Sequence, residues 1–211
     1  MEAEIAKLEG RRPALLLHSC CAPCSSNVME YLREYFALTV FYYSPNITVS
    51  EEYEKRLIEE KRLIEAYNRQ VEIQDFTGLH SSPAAKRIGI LEAPYDPEAW
   101  FAVVQGLEDC PEGGDRCSVC FEMRLRASAR AAAGIGHSLG RFDYFTTTLT
   151  ISPLKNAMKL NEIGQRMAEE YGVSWLPSDF KKKDGYKRSI ELSKEFNLYR
   201  QNYCGCIFSK R

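Results

Sequence analysis

Seven of the eight cysteines in this chain fall into three tight groups. These are Cys20-Cys21-x-x-Cys24, Cys117-x-x-Cys120 and Cys204-x-Cys206, with Cys110 standing alone. No leader-like segment precedes the first group, so we expect a reducing, cytoplasmic compartment, where structural disulfides are rare. Close-spaced thiols there read as metal ligands or redox groups, and soft thiolates suit iron–sulfur clusters, zinc or copper(I).

Each group has its own logic. Cys117 and Cys120 lie three residues apart on a turn that leads into a helix, where the helix N-terminus favours the thiolate. Cys20, Cys21 and Cys24 share that setting, and three thiols in five residues are hard to explain as packing. A thioredoxin-type pair at Cys21 and Cys24 is the rival, weakened by Cys20 and by the two further groups. Cys204-Gly205-Cys206 would close a small, strained and easily reduced disulfide ring, or supply two more metal ligands. Seven thiols can complete a cubane cluster and leave a dithiol, while a Cys₄ zinc site needs only four. His18, beside the first group, reads as a core or supporting residue, not a ligand. His80 and His137 fall in loops, and Cys110 is incidental to the chemistry.

The elements that must position these thiols follow from periodicity. Ala14–His18 and Leu38–Tyr43 read as buried strands, Phe142–Thr148 as a third long one, and Val71–Ile73 and Val173–Leu176 as short ones. Helices are expected from about Ser25 to Glu34 and from an N-cap at Ser50 through Tyr67, with Glu51 and Glu52 in its first turn. Others are expected over about Pro97–Leu107, Arg124–Ala133, Asn156–Glu170 and Tyr186–Phe196. Strands alternating with helices predict one α/β domain with a mostly parallel sheet and helices on both faces. Ligands then bind at the carboxyl ends of the strands, where the first cysteine group and the segment from Thr146 to Asn156 lie. With 211 residues, 45% of them hydrophobic, the chain can build a real core without help from cysteine. The formal charge of −1 argues against a general nucleic-acid coat. It leaves room for a local basic patch at Lys181-Lys182-Lys183.

Several motifs in order resemble the QueH family, the cobalamin-independent epoxyqueuosine reductases. They include Leu17-His18-Ser19-Cys20-Cys21-Ala22-Pro23-Cys24-Ser25, Tyr43-Ser44-Pro45-Asn46-Ile47, and Tyr95-Asp96 with Trp100. Pro111–Cys117, Phe145–Asn156, Ser178–Lys182 and Leu198–Cys206 complete the set. The resemblance runs from about Leu15 to Ser209. It implies a Rossmann-like (HUP-like) domain that reduces the epoxide of epoxyqueuosine at the wobble position of certain tRNAs. It also implies a [4Fe–4S] cluster with a second centre, a mononuclear iron or a redox pair, beside it. Cys110 and a long Gly134–Arg141 link depart from the pattern without touching a motif.

From these readings we expect a site assembled from residues 18–25, 115–121 and 203–207. Cys20, Cys21, Cys117 and Cys120 hold the cluster, with Cys24 in reserve, and Cys204 and Cys206 form a redox pair outside that set. Asp179 is the candidate acid or metal ligand. Thr147, Ser152, Lys155, Asn156, Lys181 and Lys182 are candidates for binding the tRNA substrate. An electron donor is required, and neither a membrane nor DNA is expected as a partner. A zinc-binding RNA module and a thiol–disulfide oxidoreductase are the competing readings.

Overall fold

The computed structural model describes residues 1–77 and 83–210, so His80 lies outside the described residues. Five strands form one parallel sheet: β1 (Ala14–Ser19), β2 (Ala37–Tyr42), β3 (Gly89–Glu92), β4 (Tyr144–Thr147) and β5 (Ser174–Trp175), in the order β3-β2-β1-β4-β5. β1 pairs in parallel with both β2 and β4, so the strand order reverses between β1 and β4. The expected α/β architecture is therefore what forms.

Both faces of the sheet are buried, and β1 shows why its sequence is a continuous apolar run. Leu15 and Leu17 point into one core layer with Val28, Leu32, Leu63 and Tyr67. Leu16 points into the other with Leu125, Phe145, Leu160 and Trp175. Side chains alternate across a strand, so a sheet covered twice needs apolar residues at every position. The first layer lies beneath α2 (Ala22–Leu32) and α3 (Ser50–Ile73), and α7 (Gly185–Glu195) packs on α2. The second lies beneath α5 (Asp115–Ala132) and α6 (Ala157–Tyr171). A short α1 (Glu2–Ala6) precedes the sheet, and α4 (Pro97–Val104) packs on α5. Local chemistry sets several helix ends. Asp96 Oδ1 accepts from Ala99 N at 3.0 Å and Asn156 Oδ1 from Lys159 N at 3.1 Å. Among the described residues, no helix is long and apolar enough to cross a membrane.

The structure corrects four expectations about elements. Val71–Ile73 is not a strand but the last turn of α3, ended by Gln74 in the left-handed region. Three alternating residues cannot outweigh continuation of a helix already packed through Tyr53, Leu63, Ile64 and Tyr67. The strand beside β2 is Gly89–Glu92 instead. α5 begins at Asp115, nine residues before Arg124, and α2 begins at Ala22, so Cys24, Cys117 and Cys120 lie inside helices rather than before them. Ser50 is the first residue of α3 rather than its cap, and its hydroxyl donates to Glu51.

Gly164 marks the tightest fit between α6 and the sheet. A Cβ there would stand 2.4 Å from the Trp175 ring. That ring cannot retreat: it packs edge-on against Phe145, and its Nε1 donates to Asn161 Oδ1 at 3.0 Å. Gly164→Ala is expected to destabilise by about 1–3 kcal/mol through overpacking, even though alanine favours a helix by about 1 kcal/mol. Urea denaturation measures the change, and a variant as stable as the parent would show that Trp175 yields freely.

Candidate metal and redox centre

The first thiol group sits where β1 runs into α2. The Cys21 carbonyl accepts from the amides of Cys24 and Ser25, both at 3.2 Å, which turns the chain into the helix. Gln201 Nε2 donates to Cys21 Sγ at 2.8 Å. Cys117 and Cys120 fall on one face of the first turns of α5 because residues three apart on a helix are neighbours, and Gly113 N donates to Cys117 Sγ at 3.2 Å. The third group is held from the opposite side. Asn46 Nδ2 (3.1 Å) and Arg56 Nη1 (3.3 Å) donate to the Cys204 carbonyl, and Arg56 Nη2 donates to that of Tyr203 at 3.2 Å. Gly205 has φ +101° and presses on Ile47, where a Cβ would stand 2.6 Å from Cγ1, so glycine is required at the centre of this turn.

Two adjoining cavities open onto five of these seven thiols, and the expected cluster ligands Cys20 and Cys21 line neither. One, of 230 Å³, is lined by Cys117, Cys120, Cys204 and Cys206 together with Trp100 and Arg124. The other, of 180 Å³, is lined by Cys24, Cys204, Ser152, Tyr186, Arg200 and Asn202. Lys155 and Cys204 line both. Among the described residues, no three His, Cys, Asp or Glu side chains stand close enough to hold a single metal ion.

A buried guanidinium ties the groups together electrostatically. Arg124 Nε donates to His18 Nε2 at 3.2 Å. The same Nε2 stands 3.0 Å from the Tyr43 carbonyl, and Nδ1 stands 2.7 Å from Thr147 Oγ1, so the ring is held by three neighbours. Burial, then Arg124, push the His18 pKa well down, opposed by the Tyr43 carbonyl, and the ring is neutral. His18 is fully buried, in keeping with a core residue. Burial disfavours the charge on Arg124, but the thiols of Cys20, Cys120 and Cys204 outweigh it and raise its pKa. The same balance raises Lys155, where burial is overcome by Cys24, Cys20 and Cys204.

The thiols themselves are unequal. Cys206 bonds to Cys204 and lowers its pKa, burial opposes, and the Ser209 hydroxyl 3.1 Å away lowers it further. Cys206 is pushed up in turn. Cys24 is lowered by Cys21 against burial, while burial raises Cys120 despite Arg124 and Trp100.

The other expected site residues are distributed differently. Lys155 lies inside the thiol site, and Ser152 and Asn156 line one cavity each. The Thr147 hydroxyl is engaged by His18 and by Leu149 N at 3.2 Å, and Asn156 caps α6. Asp179 is paired with Lys181 at 2.5 Å and Lys182 at 3.8 Å, and none of the three is among the residues lining either cavity. Lys183 pairs with Glu2. Arg124 was missed because it sits in a strongly helix-forming run. Its signal was its spacing from Cys117, Cys120 and Phe121, which places a charge on an otherwise apolar helical face.

The donor chemistry fits a sulfur-rich anionic group such as an iron–sulfur cluster. Four thiols share a cavity with Arg116, Arg124 and Lys155, and with Trp100 Nε1 and Arg124 Nη2, which make no well-formed hydrogen bond in the protein.

Comparison with known proteins gives a consistent result. Residues 15–211 match the family described as "Epoxyqueuosine reductase QueH". A protein of that name from Streptococcus pyogenes serotype M1 is 40% identical over 209 residues, covering 99% of this chain and 75% of the relative. The Staphylococcus aureus (strain Mu50) protein is 41% identical over 203 residues, 95% of this chain and 77% of the relative. The Thermotoga maritima protein is 33% identical over 195 residues, 92% and 89%.

The unequal acidities predict an order of alkylation in the reduced, metal-free protein. Cys204, with a lowered pKa, stays a thiolate as pH falls until its own pKa is crossed. Iodoacetamide at about pH 6, well below the ordinary thiol pKa of about 8.5, should label Cys204 ahead of Cys206. Ser209→Ala should move the Cys204 labelling curve to higher pH. Peptide mass spectrometry reads both, and equal labelling of the two thiols would contradict the assignment.

Proposed function

This chain belongs to the QueH family of epoxyqueuosine reductases, and from that membership we propose that its thiol-lined cavities are where epoxyqueuosine in tRNA is reduced to queuosine. It is an oxidoreductase of tRNA modification, which sets aside the zinc-binding RNA module and the general thiol–disulfide oxidoreductase. Reduction of the epoxide takes two electrons and two protons: both carbon–oxygen bonds break, a carbon–carbon double bond forms, and the oxygen leaves as water.

The observation that carries the reading is the gathering of all three thiol groups around Arg124 and Lys155. We assign Cys20, Cys21, Cys117 and Cys120, with Cys24 in reserve, as the residues that would hold a [4Fe–4S] cluster. When bound, the cluster would supply electrons singly, and a mononuclear iron held by leftover thiols would supply Lewis acidity. The chain's own residues do the rest. Arg124 and Lys155 offset the charge of crowded thiolates. Cys204 and Cys206 form a dithiol whose closure to a disulfide releases two electrons. The cavity holding Cys24 and Cys204 opens between residues 151–155 and 200–204, and Tyr186 and Asn202 on its wall offer an aromatic face and an amide to the modified base. Lys155, which lines both cavities, is our candidate for contact with the substrate there. Lys181 and Lys182 remain our candidates for phosphate contact: Lys182 is exposed, and a surface pair such as its one with Asp179 is worth about 0–1 kcal/mol, so a phosphate can compete for it.

Anaerobic reconstitution followed by iron and sulfide analysis and nucleoside mass spectrometry of tRNA tests the assignment. The wild type should bind iron and sulfide and convert epoxyqueuosine to queuosine. A Cys117→Ser, Cys120→Ser variant should lose both properties, and retention of a full cluster would refute the ligand assignment. Cys204→Ser, Cys206→Ser should keep the iron and lose multiple turnover. In binding titrations, Lys181→Glu, Lys182→Glu should weaken tRNA affinity and flatten its salt dependence, whereas unchanged affinity would make the patch ordinary surface.

A further inference from the structure

Two buried donors in the thiol cavity make no well-formed hydrogen bond within the protein. Trp100 is 1% exposed and Arg124 2% exposed, yet Arg124 Nη2 has no acceptor at hydrogen-bond geometry and Trp100 Nε1 reaches only toward the Cys120 thiol. A buried donor left unmade costs about 1–3 kcal/mol, so such groups call for an account. Both side chains line the 230 Å³ cavity that Cys117, Cys120, Cys204 and Cys206 share. Neither is free to turn away. The Trp100 indole stacks on Phe208 at 6.0 Å and meets Phe101 edge-on at 5.3 Å. Arg124 is anchored through Nε on His18, which is anchored on Thr147. An indole N–H cannot accept and a guanidinium cannot lose its charge, so both positions are permanent donors. The partner they lack must be an acceptor.

We propose that Trp100 Nε1 and Arg124 Nη2 donate hydrogen bonds to sulfur atoms of the redox group held in this cavity and thereby raise its reduction potential. The inference rests on the cofactor reading above. Its sign is physical: an N–H aimed at sulfur stabilises the reduced, more negative state over the oxidised one, and hydrogen bonds to sulfur are among the factors that set cluster potentials.

The test is an EPR-monitored potentiometric titration of anaerobically reconstituted holoenzyme, comparing wild type with Trp100→Phe, which keeps a stacked ring and removes only the donor. Iron and sulfide content should be retained while the midpoint potential moves to a more negative value. In resonance Raman spectra, the deuterium-induced shift of the iron–sulfur stretching bands should shrink in the variant. Arg124→Lys, keeping the charge without the planar fork, should move the potential in the same direction. An unchanged or more positive potential in Trp100→Phe would overturn the proposal. So would loss of iron from that variant, which would make the indole a packing residue. A wild-type protein that binds no iron and sulfide would overturn the cofactor reading and this inference with it.

Discussion

Everything at the carboxyl end of this sheet depends on one electrostatic constraint: thiols from three distant segments must crowd together without their charges driving them apart. Two like charges about 4 Å apart repel by about 4 kcal/mol at an effective dielectric of about 20. Few such pairs are tolerable in a domain whose total stability is about 5–15 kcal/mol. The protein answers with two cations that face the thiols, Arg124 and Lys155. Arg124 is the better placed, because its pKa is raised by thiols from all three groups at once. Burying a guanidinium is itself costly, and only the thiols and the neutral His18 make that position tenable.

The fold supplies the fixed points for this arrangement. β1 and β4 are neighbours in the sheet, and helices leave their ends toward opposite faces, so a crevice opens between them. His18 at the end of β1 and Thr147 at the end of β4 are paired in register across that crevice. Their hydrogen bond is part of what fixes Arg124. Cys20 follows His18 by two residues, so the same strand end positions both the cation's anchor and the first thiol group. α5 contributes Cys117, Cys120 and Arg124 from one face, and Leu125 and Ala129 pack it on the sheet.

The third group is attached differently, which bears on its proposed role. Residues 203–206 belong to no strand or helix. They are held by hydrogen bonds from Asn46 and Arg56 to carbonyls and by the contact of Gly205 with Ile47. The side chains of Cys204 and Cys206 are therefore free of the constraints a helix would impose, while the backbone between them is fixed. Such a turn can let a dithiol open and close without disturbing the sheet. The Ser209 hydroxyl and the paired thiol keep Cys204 as the nucleophilic member.

The sequence by itself determined what depends on near neighbours. The parallel α/β class followed from apolar runs alternating with helical stripes. The three thiol groups and their link to the QueH family followed from spacing and motif order. Local pattern failed where a residue's state depends on what packs against it. The segment at Val71 looked like a strand because alternation over three residues is ambiguous, and only the packing of α3 through Tyr67 decided it. Sequence pattern made Lys155 a candidate RNA contact, but only the fold shows that it lines both thiol cavities. Lys181 and Lys182 read as a basic patch beside Asp179, and only the fold shows that Asp179 pairs with both. Arg124 and Trp100 carried no motif of their own. Their importance comes from burial and from which atoms are left without well-formed hydrogen bonds. Those quantities are sums over every surrounding element and exist only once the chain has closed on itself.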